Sequence, residues 1–408
     1  MSSAYDLVIV GGGIGGSALA AVMAGRGKRV LLLEASEAYE DRVRGEWIAP
    51  WGVVETKRVG LYDTLVAAGG WHVPRHVTYD ESREPDESET KILEMDKVLP
   101  DIPGPLCIGH PHHCQTLFDA AGRAGAETLR EVRVLKVEPG PAPKVTFEHA
   151  GKTREATCRL IIGADGRASQ VREACGIALN QDRPHHFFAG LLVEGAEGWD
   201  PQLQAVGVEG DFNFLIFPQG NGRARVYGSY ALEERKRFAG PEGARIFLDA
   251  FRMACSPKNE HIAKARPIGP LMSYFNNSSA AETPVVEGVV LVGDAAGWND
   301  PIIGQGLSIT YRDVRLVTDI LSGSDDWSPA AFAPYAEERI ERMRRLRFSA
   351  ALVAEMDAEF NEAARERRAR YIRSPRELHL HGYAMMVGPE NVPAAAFTEE
   401  HRQKVLSL

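Results

Sequence analysis

Gly11, Gly13 and Gly16, followed by the acid Glu34, are the first residues of this chain whose types and spacing could do chemistry. A Gly-x-Gly-x-x-Gly run that follows a strand and opens a helix is a device for holding a pyrophosphate. Its first glycine permits a tight turn. The second leaves no Cβ between ligand and backbone, and the third lets helix and strand approach closely. The first-turn N–H groups of a helix lack internal partners and carry the positive end of its dipole, so they favour an anion. Glu34 ends the next strand, placed to accept hydrogen bonds from ribose hydroxyls and to repel a 2′-phosphate. The motif therefore points to an unphosphorylated adenosine ribose, as in FAD or NAD, and leaves both open.

Two later corners favour FAD. Gly163-Ala164-Asp165-Gly166, with Ser169 and Arg172, reads as a strand-to-helix turn with an acid at its tip. Gly293-Asp294-Ala295-Ala296 reads as another, followed by Pro301-Ile302-Ile303-Gly304-Gln305-Gly306-Leu307. Asp294 can accept a hydrogen bond from a ribityl hydroxyl. The helix opened by residues 304–307 offers free N–H groups to negative charge at N1 and O2 of a flavin ring.

The elements that must position these corners follow from the apolar pattern. Residues 7–25 form an uncharged run long enough to span a bilayer. Glycines at 11, 12, 13, 15 and 16, and Asp6 in place of a basic flank, instead predict a buried strand (7–10), a turn, a helix (15–26) and a strand (30–34). Further on, a helix is expected at 115–124, with strands at 129–138, 144–149 and 159–163. Residues 80–101 carry nine acidic against three basic positions and read as an exposed, partly mobile excursion. Aromatic and β-branched runs from 185 to 232 predict an antiparallel sheet. Residues 329–373 read as long helix rich in Arg and Glu. The expected class is α/β: a Rossmann-like FAD-binding domain (1–75, 103–180 and 285–328), an inserted antiparallel-sheet substrate domain (76–102 and 181–284), and a C-terminal helical region (329–408).

The three motifs, in this order across residues 7–321, resemble the flavoprotein monooxygenase family related to para-hydroxybenzoate hydroxylase. The resemblance implies that NADPH or NADH reduces FAD, and that O2 then adds to give a C4a-hydroperoxide that hydroxylates a small, commonly aromatic, substrate. It implies no separate NAD(P)H domain. The cofactor contacts expected are Gly11, Gly13, Ile14, Gly15, Gly16, Glu34, Ala35, Arg44, Val134, Asp165, Asp294, Gly304, Gln305, Gly306 and Leu307. By similarity Asp165 serves both FAD and NAD(P)H, and Val134 packs against adenine. Where the family often carries an Arg for the FAD phosphates, this chain reads His110-Pro111-His112-His113-Cys114-Gln115. Arg44-Gly45-Glu46 is also similar to the Gly-Glu segment of flavin halogenases and geranylgeranyl reductases, although the Trp-x-Trp-x-Ile-Pro run of halogenases is absent. Those two activities, and a non-catalytic flavin-binding protein, are the competing expectations.

Other constellations are weaker. Cys107, His110, His112, His113 and Cys114 are dense, but their spacing fits no closed zinc site; alternation would put His110, His112 and Cys114 on one strand face, and the cluster reads as a polar lining near FAD. Tyr227, His186, Trp298 and Asp300 are the candidates for a catalytic role. Tyr227 lies on a predicted aromatic strand, His186 opens the second domain, and Trp298 and Asp300 lie between the last two motifs. The arginines at 339, 342, 344, 345 and 347 alternate with glutamates, which predicts a solvated or interface helix.

Composition bounds the class. The chain has 408 residues, 44% apolar and 25% charged, which is a globular balance. A net charge of −9 argues against coating a nucleic-acid duplex. Five cysteines are few and odd in number, which fits a reducing cytoplasm rather than a disulfide scaffold. The partners expected are an aromatic small molecule and O2, without nucleic acid or a membrane span, for a monomer or homodimer.

Overall fold

Runs such as Leu7–Val10, Val30–Leu33 and Leu160–Gly163 carry no polar alternation and are buried throughout, because both faces of their sheet are covered. The computed structural model describes residues 4–408. Its first sheet has six strands in the order Val285–Val286, Val289–Leu291, Leu160–Gly163, Leu7–Val10, Val30–Leu33 and Glu127–Leu129. All neighbours are parallel except the antiparallel Val285–Val286 edge. Three strands adjacent in this order, 289–291, 160–163 and 7–10, each lead into one of the glycine corners. Parallel pairing therefore gathers three distant motifs at one edge.

The helices Ile14–Gly25, His110–Arg123 and Gly306–Gly323 pack on one face of this sheet. A three-stranded antiparallel sheet (Arg133–Glu138, Lys144–His149, Lys152–Thr157) covers the other, burying Val137, Val145 and Phe147 against Val8, Val10 and Leu33.

The second large sheet has eight strands. Alternation along Phe212–Pro218 sends Phe214 and Ile216 into an aromatic core with Phe247 and Phe251, and Leu215 and Phe217 to the opposite face. Arg75–Asp80 joins this sheet by parallel pairing with Leu203–Glu209.

Four expectations differ from the structure. The helix predicted from 115 begins at His110, because Pro111 sits in its first turn and is tolerated there. That removes the strand on which His110, His112 and Cys114 would have alternated. The acidic stretch 80–101 is largely exposed but anchored: Met95 is buried, its N–H donates to Pro74 O at 2.6 Å, and Arg83 donates to Ile372 O at 2.7 Å. The long helix is two, Ala333–Asp357 and Glu362–Tyr371, the second capped by Asn361 on Ala364 N–H. Finally, Arg339 and Arg342 are buried rather than solvated, since Asp313 supplies their counter-charge. Among the described residues no helix is long and apolar enough to cross a membrane.

Candidate functional site

The glycine corners open on a cavity of about 1040 Å³ that runs on to the second sheet. At the first corner, Gly11 has φ +102° and a Cβ there would stand 2.4 Å from Ala164 O. Only glycine fits where this turn meets the second corner. Gly13 is the reverse case, with nothing within 4 Å of where a Cβ would stand, so its backbone is bare to the cavity. No side chain caps the Ile14–Gly25 helix and no acid lies in its first turn. Its N–H groups are thus left for an external anion. Glu34 is buried, its two oxygens accepting from Gly12 N–H and Ser36 N–H, both at 2.8 Å. Each oxygen keeps a further lone pair for a ribose hydroxyl.

At the second corner, Asp165 accepts from Ser169 Oγ at 2.5 Å and from Val171 N–H at 3.2 Å. Burial raises its pKa, and those hydrogen bonds pull it back. At the third, Asp294 faces the cavity and pairs with Arg167 at 3.2 Å. The Gly306–Gly323 helix also lacks a side-chain cap, and Gly306 has open space at its Cβ position. These observations fit an FAD: a bare pyrophosphate cradle, a buried ribose acceptor, a carboxylate for the ribityl chain and free helix N–H groups for the ring.

The cavity brings together Gly11, Gly13, Ile14, Gly15, Glu34, Ala35, Arg44, Val134, Asp165, Asp294, Gly304, Gly306 and Leu307. Gly16 stands behind it, where a Cβ would lie 1.9 Å from Gly11 O. Gln305 is turned inward, accepting from Trp51 Nε1 and donating to Ile303 O, both at 2.7 Å. Arg44 lies 4.9 Å over the Tyr274 ring, and burial followed by the nearby Arg167 lowers its pKa.

Of the four catalytic candidates, Tyr227 alone lines the cavity. It stacks on Phe188 at 5.1 Å, and its hydroxyl makes no hydrogen bond to the described residues. Burial pushes its pKa well up, so the phenol stays protonated. The other three pack behind the lining. His186 is 3.7 Å from Asp300 and 3.2 Å from Asn276. Burial lowers its pKa to about 3 and raises that of Asp300 to about 7. Trp298 donates to Asn277 and carries Arg167 over its ring at 5.1 Å.

The histidine cluster is dispersed by its helix. His113 meets the Tyr311 hydroxyl at 2.5 Å, His112 bonds Ala68 O, and His110 lines the cavity. Among the described residues no group of three His, Cys, Asp or Glu is placed to hold a metal ion.

Sequence reasoning missed Arg225 and the role of Glu46. Arg225 is fully buried one alternation from Tyr227, gripping Glu46 at 2.5 and 2.9 Å and Asp41 at 2.7 Å. Glu46 lines the cavity and also accepts from His110 N–H at 3.0 Å and Gln219 Nε2 at 2.8 Å. An arginine amid apolar strand residues was the one available signal. Tyr274 adds a further tie, donating to Val43 O at 2.8 Å. Val43, at φ 53° in a region that β-branched residues avoid, marks this segment as strained.

Comparison with known proteins agrees with this geometry. A family model described as FAD binding domain matches residues 4–347. Ubiquinone hydroxylase UbiL of Rhodospirillum rubrum is 29% identical over 85% of this chain and 81% of its own length. Digeranylgeranylglycerophospholipid reductase 1 of Methanococcoides burtonii is 30% identical over 76% of this chain and 72% of its own. Among solved structures, p-nitrophenol 4-monooxygenase PnpA from Pseudomonas putida superposes with a TM-score of 0.77 over 100% of this chain and 99% of that one, at 17% identity.

Proposed function

This chain belongs to the FAD binding domain family of flavoprotein monooxygenases, and we propose that it hydroxylates a small aromatic molecule with NAD(P)H and O2. The observation that carries the reading is the opposition of two cavity walls: glycine corners suited to FAD face a sheet bearing Phe188, Leu215, Phe217 and Tyr227. When bound, FAD takes electrons from NAD(P)H and activates O2 at its ring.

The chain's own residues do the rest. Gly11, Gly13 and the Ile14–Gly25 helix hold the pyrophosphate, Glu34 the ribose and Asp294 the ribityl chain. Phe188 and Phe217 supply flat apolar contact for a planar ligand and exclude water from the ring. Tyr227, protonated and without a hydrogen-bond partner among the described residues, donates a hydrogen bond to a polar group of the substrate and fixes its orientation.

The test is oxidation of NADH or NADPH by the yellow protein against a library of phenols and aryl amines, with O2 uptake and product measured together. Substrate-stimulated O2 uptake with an oxygenated product is expected; no stimulation across the library would overturn the reading. The likeness to a digeranylgeranylglycerophospholipid reductase favours one second reading, reduction of an alkene on the same flavin. Turnover of an isoprenoid alkene without O2 uptake would select it.

A further inference from the structure

We infer that Arg339 and Asp313 are positioning residues of the flavin site, locking the 293–297 turn to the helix that opens on the same cavity. The inference rests on FAD being the ligand of these corners.

The segment is a short, mostly buried 3-10 turn, Gly293–Ala296, and the carbonyls of Gly293, Ala296 and Gly297 converge on one side chain. One guanidinium collects all three. Arg339 Nη1 donates to Ala296 O at 2.8 Å, and Nη2 to Gly293 O at 3.0 Å and Gly297 O at 3.1 Å. Its Nε donates to Asp313 Oδ2 at 3.0 Å, and the same oxygen takes Gly293 N–H at 2.8 Å. The turn is therefore held by an acid and a base that neutralise each other.

Asp313 lies on the Gly306–Gly323 helix, and Arg339 on the Ala333–Asp357 helix. Arg172, from the second corner, adds a bond to Ala295 O at 3.1 Å. Asp294 and the N-terminus of the Gly306–Gly323 helix, which read as separate motifs in sequence, thus form one braced unit before any ligand arrives. The planar fork matters, because a lysine ammonium cannot span three carbonyls and a carboxylate together.

Arg342 is the internal control. It pairs with the other Asp313 oxygen at 2.7 Å and donates to Ile309 O, without touching the turn. Titrating FAD into deflavinated protein should show Arg339→Lys weakened about tenfold or more, with a shifted visible flavin band. Arg342→Lys should be weakened less than about threefold for a comparable loss of melting temperature. Equal losses in the two variants, or wild-type affinity and spectrum in Arg339→Lys, would overturn the proposal. Should Arg339→Lys not fold, amide exchange on the wild type decides. Gly293 and Gly297 should be equally protected with and without FAD, whereas free exchange that stops only on adding FAD refutes a prebuilt turn. A folded wild type that refuses FAD would sink the cofactor assignment itself, a different failure from either.

Discussion

One wall of the cavity is made of backbone and the other of side chains. On the first, Gly13 and Gly306 present bare peptide to the space between them, Gly11 and Gly15 line it while packed on Ala164 and Thr310, and specificity comes from N–H direction and one buried acid. On the second, Phe188, Leu215, Phe217 and Tyr227 stand off a sheet, with fully buried Arg225 gripped by Glu46, which also lines the cavity, and by half-buried Asp41. The difference teaches where each wall is vulnerable. A backbone wall fails when any atom is added. A side-chain wall tolerates apolar exchange but not an orphaned charge.

The sharpest way to break the first wall is Gly16→Ala, whose Cβ would stand 1.9 Å from Gly11 O. We expect no retained FAD and a stability loss on the order of 3–4 kcal/mol, read by denaturant titration and flavin absorbance. The second wall is tested by Glu46→Gln, which strips the main counter-charge from fully buried Arg225. The expected loss is about 2–3 kcal/mol, below the full cost of breaking a buried pair because Asp41 remains. A variant as stable as wild type would show that Asp41 alone compensates Arg225.

A smaller, pH-dependent effect belongs to Asp300. Burial raises its pKa from 3.8 to about 7, so between those values the folded state keeps a proton that the unfolded chain has released. Its contribution therefore falls as pH rises through that window and levels off above about 7. Melting curves across the window should show Asp300→Asn with a flatter decline than wild type. The least disruptive change is Tyr227→Phe. It should leave FAD affinity unchanged and stability within about 1 kcal/mol, because the hydroxyl has no partner to lose among the described residues. Product formed per NAD(P)H consumed should drop, and unchanged coupling would remove Tyr227 from substrate positioning.

The backbone wall was largely legible in the sequence because its requirements are local. A glycine is needed wherever a Cβ would collide, and Gly11, Gly163 and Gly293 each announce a strand's end. Gln305 shows the limit of that logic: it lies inside a recognised motif, yet its side chain points to Trp51 and not to the cavity. Trp298 and Asp300 were chosen for nearness in sequence to the third corner, and His186 because it opens the second domain; packing places all three behind the lining. His110 and Cys114 do line the cavity, but the strand reading of the His110–Cys114 run failed for a different reason. Period-two alternation cannot be separated from a helical turn over so few residues, and Pro111 is compatible with a helix start.

The chain by itself determined the strands, the glycine corners and the acid at 34, since buried apolar runs and Cβ-free turns are written into neighbouring residues. Only the tertiary structure decided that Arg225 would meet Glu46 across 179 positions, and that Arg339 would reach back 46 positions to hold the third corner. Buried charges find partners through space, and desolvation makes an unpaired one too costly to leave. Sequence spacing carries no record of which pair that will be.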